Sequence, residues 1–362
     1  MQKTNRRQLF YVLALIFTAT APILIAYSLG YGFNFSTKTV RKTGGIFIKS
    51  KIPQLSLFLN GAFAKETSLI SGGALLTSID PGTHILRIEK IDHQTWLKTV
   101  DVFPEMVTEL RNILLVPQTI PRATSTKEET ALILRGEPLT ERLHLGKKGN
   151  LIFASAGTST VVASAVNSFG VIGEQVFFVS QQGFIAKFNP ADGRTETLGH
   201  PGFYLSADPV RFVGSPDGTV MILDSSGGLF SLDTEGRLKA IDSGIKEVWF
   251  DGRGRKLLIV KADKIEVLWL SSNQYQPFEK EGTQSTVLSI HAPALSARWF
   301  YGDNAHVAIR TDDGIYLTEL DGRGGRNTAE LISGKTDDIA TTSDIPNAVF
   351  YKKGKNWYKI GL

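Results

Sequence analysis

Hydrophobic and polar positions along this 362-residue chain follow three successive patterns. A largely apolar run without charged residues covers 9–31, alternating polar and apolar positions fill 44–117, and a repeating strand-and-turn pattern covers 130–362. Residues 118–129 are polar and show no periodicity. Because no amphipathic helix of ordinary length interrupts the strands, the pattern predicts an all-β protein with a single N-terminal transmembrane helix.

The apolar run is long enough to cross a lipid bilayer. No charged side chain occurs from Leu9 to Gly32, and about 20 helical residues at 1.5 Å each span the roughly 30 Å hydrocarbon core. We therefore expect residues 9–31 to span the membrane in contact with lipid. Basic flanks favour the cytoplasmic side, and the run is preceded by Lys3, Arg6 and Arg7. Residues 1–8 are predicted to be cytoplasmic and the C-terminal body to be extracytoplasmic.

A cleaved signal peptide is the alternative interpretation of this segment. Ala19-Thr20-Ala21 has the small residues of a cleavage site, and cleavage near Ala21 would release a secreted protein. Against cleavage, Pro22 directly follows that site and apolar residues continue from Ile23 to Ala26. The longer apolar run favours a retained membrane anchor.

Short strands separated by turns predict a small antiparallel β-sandwich over residues 44–117. The stretch Gln54–Gly61 alternates polar and apolar residues and closes on the turn signal Asn60-Gly61. A second turn, Asp80–Gly82, leads into three further strands.

These residues resemble a PEGA domain, a small surface-associated β-sandwich. The resemblance rests on the strand Gly45–Ser50, the turn Asn60-Gly61, the turn Pro81-Gly82 and the strand Trp96-Leu97-Lys98. Two stretches depart from the family pattern, Pro53–Ser56 and Asp92-His93. Members of this family look like envelope-facing adhesion or spacer modules. The resemblance therefore implies binding or display at a cell surface and no reaction.

Residues 130–362 contain a repeated unit. Val176–Gly183 is matched by Val220–Gly227 and again by Val307–Gly314. Each copy is a strand, a polar turn and a glycine, followed by a second strand and an Asp-rich turn. A period of about 40 residues, with several strands and no helix per unit, is typical of β-propeller blades.

The same region also resembles bacterial propellers akin to the WD-repeat family, through the turn Ser215-Pro216-Asp217-Gly218. Six related hairpins favour six blades, one of them abbreviated, with five blades as the alternative. The last hairpin ends close to residue 362, so we expect the ring to close on an outer strand from the start of the domain, at Ala131–Leu134. Residues 118–129 are predicted to be a linker, because the stretch from Pro117 to Glu129 contains two Pro, four Ser or Thr and charged residues without periodicity.

Composition narrows the possible chemistry. The chain has no Cys, which excludes disulfides, thiol catalysis and thiolate metal sites. Its net charge of +5 raises the question of a nucleic-acid partner, but three of its 40 basic residues precede the apolar run and the body is nearly neutral. Since nucleic-acid binding needs clustered basic residues, we expect no nucleic-acid partner.

No constellation of residues predicts a catalytic, cofactor-binding or metal site. None of the histidines has the spacing of zinc ligands; they are His84, His93, His144, His200, His291 and His306. The stretches Asp251–Arg255 and Gly322–Arg326 lack the Gly-Lys-Ser/Thr of a phosphate loop. Asp312-Asp313 and Thr336–Asp338 lack calcium-loop spacing. Core packing is predicted for Trp249, Trp299 and Trp357, with a sugar- or peptide-binding surface as the alternative.

The modules together indicate a membrane-anchored extracytoplasmic binding or scaffold protein. We expect its β-propeller to engage a cell-envelope polysaccharide or a partner protein without catalysis and without a cofactor. The alternative is an extracytoplasmic propeller hydrolase such as a glycosidase, which needs two carboxylates about 5 to 10 Å apart. Many acidic residues stand in turns, such as Asp217-Gly218, Asp251-Gly252 and Asp321-Gly322, and no spacing singles out a catalytic pair.

Overall fold

The computed structural model describes residues 3–28, 30–34, 39–134, 138–155, 157–199, 209–289 and 295–362. The chain divides into two compact units. The first unit comprises Met1–Thr119 and two later segments, Tyr275–Pro277 and Asp321–Asn327. The second unit comprises Ile120–Gln274, Phe278–Leu320 and Thr328–Leu362.

The first unit opens with helix α1, Lys3–Ser28. Its stretch Arg7–Ala26 is long and apolar enough to cross a membrane, and none of it is buried inside the protein. The hydroxyl of Thr18 donates a hydrogen bond to the carbonyl oxygen of Ala14 at 2.8 Å, and Thr20 makes the same intrahelical bond one turn along. These bonds satisfy the hydroxyls without water, as an apolar environment requires.

The helix is shorter at its C-terminal end than the predicted span of residues 9–31. α1 ends at Ser28, and Tyr31 already begins a strand; Leu29 lies outside the described residues. Gly30 has φ +83°, a left-handed conformation that glycine adopts without strain and that commonly ends helices.

A short hairpin returns the chain to the end of α1. Its strands β1 (Tyr31–Asn34) and β2 (Thr39–Lys42) are antiparallel. The backbone N–H and the hydroxyl of Thr43 both donate to the carbonyl oxygen of Gly30 at 2.7 Å. The strand that follows Thr43 therefore starts beside the end of the apolar helix.

Residues 44–119, all of which are described, form a sandwich of two sheets. The strands are β3 (Gly44–Ser50), β4 (Ser56–Leu59), β5 (Ala62–Glu66), β6 (Gly73–Ile79), β7 (Gly82–Glu89), β8 (Trp96–Val102) and β9 (Val107–Ile113). One sheet has the order β6-β3-β9 and the other β5-β4-β7-β8. Their inner faces share one core that includes Ile46, Ile48, Leu57, Leu86 and Trp96. The predicted β-sandwich is confirmed.

One strand pair departs from the predicted antiparallel arrangement. β3 and β9 run parallel, with Gly45 opposite Val107 and Ile48 opposite Leu110. β8 belongs to the other sheet, so the chain changes sheets between β8 and β9. It then enters beside β3 from the same end, which makes the two neighbours parallel.

The second unit contains six antiparallel sheets within the described residues. Its first strands and helix are β10 (Arg122–Thr124), α2 (Lys127–Leu134), β11 (Leu143–Leu145), β12 (Leu151–Ser155) and β13 (Thr158–Ala163). The next two sheets consist of β14 (Val166–Ile172), β15 (Gln175–Ser180), β16 (Ile185–Asn189), β17 (Arg194–Gly199), β18 (Arg211–Gly214), β19 (Val220–Leu223), β20 (Leu229–Leu232) and β21 (Leu238–Asp242). Two short 3₁₀ helices lie at Pro138–Arg142 and Lys147–Gly149.

The remaining strands complete this series. They are β22 (Ile245–Phe250), β23 (Lys256–Lys261), β24 (Lys264–Trp269), β25 (Gln284–Ser289), β26 (Ser296–Phe300), β27 (His306–Arg310), β28 (Gly314–Glu319), β29 (Thr328–Ser333), β30 (Asp338–Ala340), β31 (Ala348–Lys353) and β32 (Asn356–Gly361). The sheet orders are β11-β12-β13, β14-β15-β16-β17, β18-β19-β20-β21, β22-β23-β24-β25, β26-β27-β28-β29 and β10-β32-β31-β30.

This arrangement is a β-propeller of six blades. The strands β14, β18, β22, β26 and β30 contact one another in series, and apolar side chains fill the space between neighbouring sheets. Leu258 of β23 and Val307 of β27, for example, belong to one buried cluster around Trp299. Each of the six predicted hairpins lies in a different sheet, and the three-stranded sheet is the abbreviated blade.

The propeller closes on a different segment from the predicted one. The outer strand of the last blade is β10, which pairs with β32 near the C-terminus. Ala131–Leu134, the predicted closing strand, lies in α2. The predicted linker, 118–129, therefore contains a blade strand and the first residues of a helix.

A capping box explains why α2 forms there. The Thr126 hydroxyl accepts a hydrogen bond from the Glu129 N–H at 3.1 Å, and the Glu129 carboxylate accepts one from the Thr126 N–H at 3.0 Å. This reciprocal pair satisfies two backbone donors at the helix start. Glu129 also forms an ion pair with Lys359 of β32 at 2.7 Å, which ties α2 to the closing blade.

Candidate functional site

A groove of about 610 Å³ lies on the outer face of the three-stranded sheet in the first unit. Its lining includes Phe47, Lys49, Lys65, Glu66, Leu75 and Arg111. The lining comes from β3, β5, β6 and β9, which are remote from one another in the sequence.

Strand alternation places these side chains on the groove side of the sheet. In β3, Ile46 and Ile48 are fully buried in the sandwich core, so Phe47 and Lys49 point to the opposite face. The pairing of Phe47 with Leu75 across to β6 extends the apolar floor of the groove.

Two lysines supply positive charge without a carboxylate partner among the described residues. The Lys49 ammonium donates to the carbonyl oxygen of Ser71, and the Lys65 ammonium donates to that of Leu75 at 3.5 Å. Each ammonium carries three N–H donors, so both retain donors for a ligand. A neutral carbonyl leaves the positive charge in place. The lining thus carries three cationic side chains and one carboxylate, that of Glu66, and the excess of positive charge favours an anion.

Arg111 lines one side of the groove and contacts Glu109, Phe47 and Tyr275. Its Nε donates to the Glu109 carboxylate at 2.8 Å, and this hydrogen bond raises the pKa of Arg111. Its guanidinium lies 5.2 Å from the ring centre of Phe47 and 4.2 Å from that of Tyr275. The segment containing Tyr275 belongs to the first unit. There Gln276 donates to the carbonyl oxygen of Val107 at 2.9 Å.

A second polar cluster lies on the strands that contact in series in the propeller. The guanidinium carbons of Arg211 and Arg298 lie 4.7 and 4.1 Å from the ring centre of Trp249. Glu247 accepts hydrogen bonds from Arg298 and from the Trp249 indole. Desolvation lowers the pKa of Arg211, although water still reaches its side chain. An arginine in this position stays protonated at neutral pH.

The three tryptophans predicted to be core residues divide into two groups. Trp299 and Trp357 are buried, as expected. Trp249 is only half-buried and stands between the two arginines. The aromatic surface that the sequence left as an alternative is therefore limited to Trp249 among these three.

Three of the histidines have local partners. His84 contacts the Asn60 amide and the carbonyl oxygen of Asp80, and His306 contacts the Asp303 carboxylate at 2.7 Å. His93 contacts the carbonyl oxygen of Ile91, His144 lies in β11, and the remaining two, His200 and His291, lie outside the described residues. In the part of the chain that the structure describes, no three His, Asp or Glu residues are grouped to hold a metal ion.

Asp residues in the propeller turns bind backbone amides. Asp217 accepts hydrogen bonds from Ser215 and Thr219, and these bonds lower its pKa. Asp251 accepts from the N–H groups of Arg255 and Lys256 at 2.7 and 3.1 Å. The Asp-Gly signals and the glycine-rich stretch Asp251–Arg255 are thus turns whose carboxylates close the loop.

Two carboxylates share one lysine between neighbouring blades. Lys261 lies 2.8 Å from Asp242 and 3.3 Å from Glu266, and Gln284 donates to both. Burial by itself would raise the pKa of each carboxyl, but the hydrogen bonds from Lys261, Lys264 and Gln284 outweigh it and the pKa of each is lowered. Both groups are therefore ionised at neutral pH.

The sequence did not single out the groove as a site. The alternation of residues in β3 was enough to predict that Phe47 and Lys49 lie on one face. The sequence did not predict that Lys65 and Arg111 lie near them, because this depends on which strands pair with β3 and how the two sheets stack.

Comparisons with known proteins yield only distant likenesses. No protein-family model matches the chain, and no curated protein matches it. The resemblances to the PEGA domain and to the WD-repeat family therefore stay predictions.

Three solved structures illustrate the level of similarity. A β-propeller domain from Myceliophteria thermophila has a TM-score of 0.37 and 10% identity, over 52% of this chain and 62% of that one. A gluconolactonase from Xanthomonas campestris has a TM-score of 0.35 and 12% identity, over 67% of this chain and 95% of that one. The tricorn protease has a TM-score of 0.46 and 10% identity, over 83% of this chain and 35% of that one. The chain thus spans less than two thirds of the first and third of these, and at such scores the likenesses carry no conclusion about activity.

Proposed function

We propose that this protein is a membrane-anchored extracytoplasmic binding protein that presents a β-propeller and engages an acidic polymer of the cell envelope. The observation that carries this proposal is the groove lined by Lys49, Lys65 and Arg111 beside the ring of Phe47. An ammonium pair attracts carboxylate or phosphate groups, and an aromatic floor offers apolar area to the face of a sugar ring.

The anchor in this proposal is α1. None of its 20-residue apolar stretch, Arg7–Ala26, is buried inside the protein, as expected for a helix in contact with lipid. The basic residues before it favour an N-terminus in the cytoplasm. The two folded units then belong on the outer side of the membrane.

The position of the groove favours a polymer over a lipid headgroup. β3 starts at Gly44, next to the end of α1, and Lys49 lies five residues further along the strand. At about 3.3 Å per residue, the groove is roughly 17 Å from the membrane end of the sandwich. Where β3 is directed away from the bilayer, a headgroup in that bilayer lies outside the reach of these ammonium groups.

The hydrolase alternative has less support. A glycosidase acid needs a raised pKa so that it holds a proton near neutral pH. Among the described residues, each Asp or Glu whose pKa departs clearly from its usual value has a lowered one. Asp242 and Glu266, two carboxylates that contact the same lysine, are paired with Lys261. Binding is therefore the function we propose.

Binding to soluble polymers tests the proposal. The full-length protein in lipid nanodiscs is titrated with polygalacturonate, with a glycerol-phosphate polymer and with neutral dextran. The first two separate carboxylate from phosphate recognition. We expect at least one acidic polymer to bind, with an affinity that falls as salt is added, and dextran not to bind.

Two double variants with the same loss of charge locate the site. K49Q/K65Q removes both groove lysines, and K353Q/K355Q removes two exposed lysines of a propeller turn. We expect the first to weaken binding about tenfold, since each exposed charge contact contributes about 0.2 to 1 kcal/mol, and the second to bind as the wild type does. Equal weakening by both variants, or no binding of either acidic polymer, contradicts the proposed site.

A further inference from the structure

The turn between β8 and β9, Phe103–Met106, lies next to the end of the apolar helix. The N–H of Glu105 donates to the carbonyl oxygen of Thr43 at 2.9 Å, and the N–H of Gly45 donates to that of Met106 at 2.9 Å. A Cβ on Gly44 would overlap the carbonyl oxygen of Phe103. The turn is therefore held against the start of β3.

This turn carries large apolar side chains that the protein does not cover. Phe103 and Met106 are each 56% exposed. Val40 of the neighbouring hairpin is 63% exposed. Single exposed apolar residues are common on protein surfaces, but here they are grouped around the point where the chain leaves α1.

The spacing along the chain places this turn at the level of the lipid headgroups. The apolar stretch of α1 ends at Ala26, and Gly30 follows four residues later. The helix itself continues to Ser28, roughly 3 Å beyond Ala26 at about 1.5 Å per residue, so its end lies within the headgroup layer of a bilayer. Gly30 is hydrogen-bonded to Thr43, and Thr43 to Glu105 of the turn.

Neighbouring side chains have the chemistry of the membrane interface. Tyr31 begins the first strand after the helix, and the Lys42 ammonium lies 5.7 Å from its ring centre. Lys42 also forms an ion pair with Glu105 at 3.0 Å, with both side chains about half exposed. Aromatic rings and long basic side chains are enriched at headgroup depth, where one part is apolar and the other is wet.

We propose that the Phe103–Met106 turn inserts its apolar side chains into the interfacial layer of the bilayer that α1 spans. The proposal rests on the membrane anchor of the proposed function and adds a second contact with lipid. The first unit then contacts the membrane through both α1 and the Phe103–Met106 turn, and the groove lies at the opposite end of the sandwich.

Site-specific fluorescence tests the insertion in the full-length chain. Because the natural chain has no Cys, single variants F103C and M106C each take one polarity-sensitive thiol label. The protein is reconstituted into phosphatidylcholine and phosphatidylglycerol vesicles, with or without a lipid that carries a quencher at headgroup depth. Both positions are exposed, so the substitutions leave the core intact.

I91C is the matched control. Ile91 is also apolar and 86% exposed, but it follows β7 at the opposite end of the sandwich, where Ile88 pairs with Trp96 rather than Gly82 with Val102. The length of β8 separates the two ends by about 20 Å. We expect headgroup quenching at positions 103 and 106 to exceed that at position 91 at least about twofold, because interfacial side chains sit within about 5 to 10 Å of the headgroups.

Failure of the insertion and failure of the anchor give different results. A chain that stays with the vesicles after an alkaline wash, but is quenched equally at positions 103 and 91, overturns the insertion and leaves the anchor standing. A chain that leaves the vesicles in that wash overturns both. Retention together with stronger quenching at positions 103 and 106 supports the insertion.

Discussion

At the scale of single residues, a buried ionic contact in the propeller joins Asp251 and Lys256. The Asp251 side chain is completely buried, and the Lys256 ammonium lies 2.9 Å from its Oδ2. The ammonium also lies 5.3 and 5.4 Å from the ring centres of Trp269 and Trp299.

Substitution D251A removes the carboxylate from this site. It leaves two backbone N–H groups and a largely buried ammonium without their acceptor. We expect the free energy of unfolding to fall by about 2 to 4 kcal/mol, measured by urea unfolding of the full-length protein in detergent.

Two further variants check the cause of that loss. Asp263 is exposed in the turn between β23 and β24. We expect the substitution D263A to change the free energy of unfolding by less than about 0.5 kcal/mol. The double variant D251A/K256M no longer holds an unpaired charge, so its loss should be smaller than the sum of the two single losses. Additive losses would show that the two side chains do not interact.

At the scale of secondary-structure elements, β10 holds the first part of the propeller chain to its last blade. Ala123 stands opposite Lys359 in the antiparallel pair of β10 and β32. Substitution A123P removes a backbone donor and fixes a dihedral angle in a three-residue strand. We expect the propeller to lose about 1 to 3 kcal/mol of stability, measured by urea unfolding.

The conservative substitution A123T is the control for that position. Ala123 is exposed, and threonine keeps the backbone N–H and suits a strand. We expect A123T to unfold within about 0.5 kcal/mol of the wild type. If A123P also unfolds like the wild type, β10 does not stabilise the closed ring.

Whether the sequence predicted an element depends on how that element packs against its neighbours. The six blade hairpins were predicted because the buried middle strands repeat the same apolar pattern. β10 was not, since its three side chains are all exposed and an outer strand needs no apolar alternation. Ala131–Leu134 has the composition of a strand but forms a helix, because the capping box of Thr126 and Glu129 starts a helix before it. That box was present in the sequence of the predicted linker.

The candidate site was harder to predict from the sequence than the fold. Lys49, Lys65 and Arg111 belong to three strands of the first unit, and no fixed spacing relates them. The parallel pairing of β3 with β9 brings Arg111 into the row beside Phe47. Because that pairing contradicted the predicted antiparallel arrangement, the sequence could not place the arginine.

At the scale of the whole molecule, the proposed binding to a cell-envelope polymer requires one orientation of the chain in the membrane. The cluster Lys3, Arg6 and Arg7 before the apolar stretch favours a cytoplasmic N-terminus. Basic residues also follow the helix at Arg41 and Lys42, so the charge difference across the membrane is small. Because the charge difference only weakly favours one orientation, the orientation needs an experimental test.

A cysteine-free chain allows this test with single reporters. T4C marks the N-terminus, and K353C marks an exposed turn of the propeller. In intact bacterial spheroplasts, a membrane-impermeant maleimide should label K353C fully and label T4C only after the membrane is opened. Labelling of T4C alone in intact cells would reverse the orientation. A labelled K353C chain released into the medium with an N-terminus near Pro22 would instead identify the apolar helix as a cleaved signal peptide.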